Sequence, residues 1–279
     1  MTATAKQTDY LAKPSGPCCL KGTLHEGTPR GRYETIAELQ TYVTEPPQGT
    51  PRNGNIILYF PDVWGFFTNG LLVMDAFADA GYLVIGIDYF RGDPVTNHRK
   101  DRHDTTTDPG FDFDAWKDKH AAFAAEAVPR WVDAVAAKYG GGSDAQSSSG
   151  GGNRKPKFAC TGYCFGAPYV CEELAGDRGV VSVGAFGHPA FLKESHFRNL
   201  KKPLFMSCAE TDHTFDPASR RRALDILQEE KKLYHYQLFQ GVEHGFALRG
   251  DPNDPYQRWV KEQSLSSIVQ WFDFWLAQE

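Results

Sequence analysis

Three side chains are best equipped for chemistry: a cysteine in a glycine-flanked turn, an aspartate and a histidine, met in that order along the chain. Gly162-Tyr163-Cys164-Phe165-Gly166 has the spacing G-x-C-x-G. It is the strand-to-helix elbow G-x-S-x-G with a thiol in place of the hydroxyl. Such a sharp turn holds its nucleophile in strained backbone geometry, and the flanking glycines leave room for it. The helix that follows directs its positive end toward Cys164, which favours a thiolate. The Phe165 N–H, next in the chain, is a candidate oxyanion donor. No G-x-S-x-G occurs anywhere, so no serine competes for the role. The plain alternative is a structural cysteine in a Gly-rich turn, because free cysteine often packs as a small hydrophobe.

Asp212 follows the apolar run Pro203–Ala209, and His244 follows the run Leu233–Phe239. Nucleophile, acid and histidine, each just past a strand, is the α/β-hydrolase order, and it predicts Cys164, Asp212 and His244 as a catalytic triad. Each member has a bland reading. Asp212 could cap a loop or helix, with Glu210 or Asp216 as the acid instead, and one histidine of nine near a loop is unremarkable alone.

The elements around these residues alternate. Asn55–Phe60, Tyr82–Ile87, Lys157–Thr161, Val180–Phe186, Pro203–Ala209 and Leu233–Phe239 read as strands. Leu71–Ala80, Trp116–Tyr139, Phe165–Leu174, Ser219–Glu230 and Trp259–Leu276 read as helices, with Pro129 expected to break or kink the second. Strand–helix alternation at this pitch predicts an α/β fold with a mostly parallel central sheet covered by helices on both faces. Ligands bind such sheets at the C-terminal strand ends.

At 279 residues with 41% hydrophobic composition, the chain can build a large core, and we expect residues 1–279 to form a single domain. Residues 1–30 read as an irregular N-terminal extension, and the Gly/Ser-rich stretch 140–153 as a flexible surface loop. A net charge of −5 argues against a nucleic-acid or anionic-membrane binder. Six cysteines without zinc-site spacing do not make a disulfide or zinc scaffold, and Cys18 and Cys19 have no assignable role. With no apolar leader or membrane-length run, a cytoplasmic location is expected. The segment from His98 to Asp104 offers metal-ligand types without regular spacing and reads as a solvated loop, within a longer stretch 92–113 that could form part of a lid. Trp64, Phe66, Phe67, Tyr89 and Trp116 are candidates to line the pocket, although core packing explains aromatics as often.

These residues resemble the dienelactone hydrolase (carboxymethylenebutenolidase-like) family of the α/β-hydrolase superfamily. The resemblance rests on the Cys164 elbow, Glu210-Thr211-Asp212 and Glu243-His244-Gly245-Phe246. It also rests on Pro61-Asp62-Val63-Trp64-Gly65 and Gly86-Ile87-Asp88-Tyr89-Phe90-Arg91, and it spans Tyr33 to Leu276. It implies that Asp62 accepts a hydrogen bond from the resting thiol, although many members carry the longer glutamate there. It further implies that the Val63 N–H completes the oxyanion hole with Phe165, and that Arg91 and Arg249 hold a substrate carboxylate. A guanidinium fork suits that group, while surface arginines facing water are the alternative.

The expected activity is hydrolysis of an enol lactone or activated ester of a small carboxylic acid through a cysteine-bound acyl intermediate, with no metal or cofactor. The expected partner is a small-molecule substrate, with no nucleic acid or membrane, and the chain is expected as a monomer or homodimer. A polyketide-derived lactone or a thioester is an alternative substrate. A non-catalytic α/β-hydrolase scaffold is a second class. A thiol redox enzyme pairing Cys164 with Cys160 or Cys171 is a third, weakened by the lack of C-x-x-C.

Overall fold

The structure, a computed structural model, describes residues 9–16, 20, 22–101, 103–141 and 155–278. Cys18, Cys19 and most of the Gly/Ser-rich stretch lie outside them. Among the described residues, ten strands alternate with helices along most of the chain. A short β1 (Tyr10–Ala12) precedes β2 (Arg32–Ile36), β3 (Leu39–Thr44), β4 (Ile56–Phe60), α1 (Thr68–Asp79), β5 (Leu83–Ile87) and α2 (Phe113–Tyr139). Then come β6 (Phe158–Tyr163), α3 (Ala167–Ala175), β7 (Val181–Gly187), β8 (Leu192–Lys193), α4 (Glu194–Arg198) and β9 (Leu204–Thr211). The chain continues through α5 (Pro217–Glu229), β10 (Tyr234–Glu243), α6 (Phe246–Arg249) and α7 (Pro255–Ala277).

Eight of these strands form one sheet in the order β10-β9-β7-β6-β4-β5-β3-β2. It is parallel from β10 to β5, and β3 runs antiparallel to both of its neighbours. Strands from before and after the Gly/Ser-rich stretch are adjacent, since β4 pairs with β6. The continuous apolar run of β4 follows from burial on both faces. Ile56, Leu58 and Phe60 join the core under α2, α3 and α5, while Ile57 and Tyr59 join the core under α1 and α7. Helices thus cover both faces.

The structure differs from expectation in three places. The hairpin of β2 and β3 had no turn signal, because Ala37 and Glu38 adopt left-handed φ values of 49° and 66° where glycine or asparagine is usual. Within the expected irregular extension, β1 pairs antiparallel with β8, and a three-residue strand is too short to show a period. Helix α2 runs unbroken through Pro129. Its buried face of Trp116, Ala124, Ala127, Val128, Trp131, Val132 and Val135 outweighs the roughly 3 kcal/mol that an interior proline costs.

Candidate active site

The elbow forms where β6 ends. Cys164 has φ 49°, a left-handed conformation costing a non-glycine residue about 1–3 kcal/mol, and its side chain has no exposed surface. One 3₁₀ turn, Cys164–Gly166, leads into α3. The flanking glycines are demanded by contact rather than by φ. A Cβ on Gly166 would stand 2.2 Å from the Phe60 carbonyl oxygen, and one on Gly162 would stand 2.5 Å from the Gly166 oxygen. The turn is therefore pressed against the end of β4.

That pressing matters for the two candidate oxyanion donors. Phe60 and Gly162 are register partners in the β4–β6 ladder, so Val63 and Phe165, each three residues further on, leave adjacent strands at the same edge. Val63 is fully buried. Among the described residues neither of these N–H groups donates to a loop or turn carbonyl.

At the end of β9, Asp212 meets His244. The His244 Nδ1 lies 3.0 Å and 3.1 Å from the two carboxylate oxygens, and both side chains are almost wholly buried. Glu210 instead accepts from the Gly241 N–H at 3.2 Å, and Asp216 caps α5 by accepting from the Ser219 N–H at 2.9 Å. Of the three candidate acids, only Asp212 reaches the histidine. Burial pushes the Asp212 carboxyl up, but His244 and the Thr214 hydroxyl and N–H outweigh it and hold the group well below the usual carboxylate range.

Two residues of this frame carried no sequence signal. Thr214 places its hydroxyl 2.6 Å from Asp212 and 3.1 Å from the His244 Nδ1, and its N–H donates to Asp212 at 2.9 Å. Arg220, buried on α5, donates to the carbonyls of Ala209, Phe215 and Glu210 at 2.7–3.0 Å, clamping the loop that carries Asp212. A carbonyl clamp has no motif, so the spacing of residues could not reveal it.

The ligand atoms of Asp212, His213 and His244 lie within 4.8 Å of one another, close enough for metal-ligand types. The His244 nitrogen that faces this carboxylate is already engaged with it. Among the described residues the segment around His98 is tied by contacts of its own. The His98 ring nitrogens lie 2.7 Å from Asp93 and from Asp108, and its ring stacks on Phe111 at 4.2 Å.

Asp62 is fully buried and forms an ion pair with Arg249, while accepting from the Trp64 N–H at 3.0 Å. Burial raises the Asp62 carboxyl above its ordinary value, and the guanidinium opposes the rise without cancelling it. Arg249 sits at the end of α6 with its guanidinium 5.1 Å from the Trp64 ring. Gly245 permits this approach. Its φ is 95°, and a Cβ there would lie 2.5 Å from an Arg249 nitrogen. Asp62, Trp64 and Arg249 thus form one cluster. Arg91 stands apart, exposed, with its guanidinium 4.2 Å from the Phe123 ring of α2. Tyr89 is fully buried, donates its hydroxyl to the Pro61 carbonyl and packs on Phe165 at 5.3 Å, so it braces the Asp62 turn from behind. Cys160 and Cys171 are buried thiols that burial, above all, pushes well up, so neither offers a ready thiolate for disulfide exchange.

Comparison with known proteins adds to this geometry. A model described as the dienelactone hydrolase family matches residues 39–276. Dienlactone hydrolase 1 of Gibberella moniliformis is 42% identical over 270 residues, covering 96% of this chain and 97% of that protein. Dienlactone hydrolase 2 of the same fungus is 40% identical over 271 residues, covering 97% and 99%. Hydrolase pyvD of Aspergillus violaceofuscus is 32% identical, covering 95% and 98%. Among solved structures, TT1662 from Thermus thermophilus superposes with a TM-score of 0.60 at 14% identity, covering 90% of this chain and all of that one. A dienelactone hydrolase-like promiscuous phosphotriesterase from metagenomic libraries gives 0.58 at 15% identity, covering 88% and 97%. At such identities the likeness is one of fold.

Proposed function

The chain belongs to the dienelactone hydrolase family, and from that premise we propose that it hydrolyses an enol lactone or activated ester of a small carboxylic acid through an acyl-cysteine intermediate. One observation carries the reading. A buried Asp212–His244 pair stands at the strand-end edge where a cysteine is held in a left-handed turn between two sterically required glycines.

In this reading His244 takes the Cys164 proton, and Asp212 holds the imidazole in the tautomer with its proton on Nδ1. The sulfur attacks the substrate carbonyl, and the Val63 and Phe165 N–H groups stabilise the oxyanion. Collapse expels the enolate or alkoxide, which takes the proton from His244. Water, deprotonated by His244, then cleaves the thioester and returns the thiol and a carboxylic acid. A thiol nucleophile suits good leaving groups, which favours enol esters over amides. In the same reading Arg249, which pairs with Asp62 beside Trp64, receives a substrate carboxylate, with Asp62 as its resting partner. No metal or organic cofactor enters these steps.

The test is turnover of a dienelactone and of p-nitrophenyl acetate by the wild type and Cys164→Ala, with intact-mass analysis. Loss of turnover by at least about 10³-fold in the variant, with an acyl mass on the wild type alone, is expected. Equal activity in both proteins removes Cys164 as the nucleophile. Ester turnover without dienelactone turnover keeps the chemistry and moves the substrate to another lactone or a thioester.

A further inference from the structure

His188 is the first residue past β7, in a left-handed conformation with φ 35°, and its N–H donates to the Ser207 carbonyl at 3.0 Å. Its side chain has no exposed surface, and neither ring nitrogen has a hydrogen-bond partner among the described residues. The ring stands edge-on to His244 at 4.9 Å and to Phe246 at 5.8 Å, and is tilted against Tyr163 at 5.6 Å.

Each buried polar atom left unsatisfied costs about 1–3 kcal/mol, and the strained backbone costs about as much again. A phenyl ring would fill a similar space without the first cost. The site therefore holds a destabilising side chain one residue past a strand end, in ring contact with the proposed general base. Burial, followed by the charges of His244 and Arg249, drives the His188 imidazole well below its ordinary pKa, so it is neutral. A neutral imidazole offers one donor and one acceptor. Its burial does not separate it from the reacting atoms, because Cys164 has no exposed surface either.

We infer that His188 is a specificity residue, one of whose two unpartnered ring nitrogens beside His244 hydrogen-bonds a second oxygen of the acyl group and selects oxygen-bearing acyl substrates over plain ones. This deepens the acyl-cysteine reading and rests on it for the substrate class.

The test uses non-reacting acids. Propionate, lactate, 3-hydroxypropionate and pyruvate are titrated by NMR into Cys164→Ala and into Cys164→Ala/His188→Phe. At least one oxygenated acid is expected to bind Cys164→Ala at least 10-fold more tightly than propionate. That preference is expected to shrink to within 3-fold in the double variant, while propionate binding changes by less than 3-fold. His188→Asn, which keeps a donor and an acceptor, is expected to restore part of the preference. The melting temperature of His188→Phe is expected to match or exceed that of the wild type. A preference that survives the double variant overturns the inference, as does no preference or no binding in Cys164→Ala. A drop in melting temperature with equal loss for all four acids assigns His188 to structure and also overturns it. Turnover of p-nitrophenyl acetate, compared between wild type and Cys164→Ala, separately tests the nucleophile. Its survival in Cys164→Ala would sink the acyl-cysteine reading and leave the acid preference as an independent result.

Discussion

The Asp212 carboxylate accepts from the Thr214 and Phe215 N–H groups as well as from His244, so its ionised form is favoured far into the acid range. Asp212→Asn removes the charge that, in the proposed mechanism, orients and stabilises the imidazole. It is expected to lower kcat/KM for p-nitrophenyl acetate by about 10²-fold or more, with little change in KM, as read by steady-state kinetics. The Asp62–Arg249 pair poses a different problem. Arg249→Met leaves a buried carboxyl without its cation, which costs about 3–5 kcal/mol for a buried pair. Urea denaturation of that variant is expected to show a lower midpoint. Asp62→Asn/Arg249→Met together should recover most of the loss. Asp212 and His244 were legible as residues because acid and base follow apolar runs. Thr214 and Arg220 were not, because their contribution is a set of hydrogen bonds to atoms of the loop itself.

At the scale of elements, the elbow depends on how closely β4 and β6 approach. Gly166→Ala would drive a methyl group into the Phe60 carbonyl, so the turn or β4 must shift. Overpacking of this kind costs about 1–3 kcal/mol. A lower melting temperature by calorimetry is expected, together with a fall in kcat, because the proposed oxyanion donors Val63 and Phe165 hang on the two strands that are pushed apart. The central parallel strands were legible because burial on both faces writes itself as uninterrupted apolar runs, and the long helices because one buried face recurs at helical spacing. The β2–β3 hairpin was not, since its edge strand is largely exposed and its turn uses Ala37 and Glu38 in conformations that no residue-type rule anticipates.

The pH dependence of stability belongs to the whole molecule. His188, His120 and His25 all have pKa values lowered by burial first, so the unfolded chain binds more protons than the native one below about pH 6.5. Stability therefore rises with pH through that window and falls on acidification. The depressed carboxylate of Asp212 acts at lower pH, since its contribution is complete above about pH 4 and is lost only beneath that. The melting temperature of the wild type is expected to drop between pH 7.5 and pH 5.5, and the drop is expected to be smaller in His188→Phe. An equal drop in both proteins would mean that His188 titrates normally. Among the described residues, no helix is long and apolar enough to cross a membrane.

What the amino-acid sequence determined by itself was the order of layers and the kinds of reactive group. Apolar periodicity reports burial, and the glycines around Cys164 report a tight turn wherever that turn ends up. Only the tertiary structure decided which groups meet. It brought Asp212, and neither Glu210 nor Asp216, to His244, joined Asp62 to Arg249, left Arg91 on Phe123, and seated beside His244 a His188 whose ring nitrogens have no hydrogen-bond partner among the described residues. Those choices depend on strand register and on the path of loops between distant segments, and side-chain contacts across such distances leave no periodic trace in the chain.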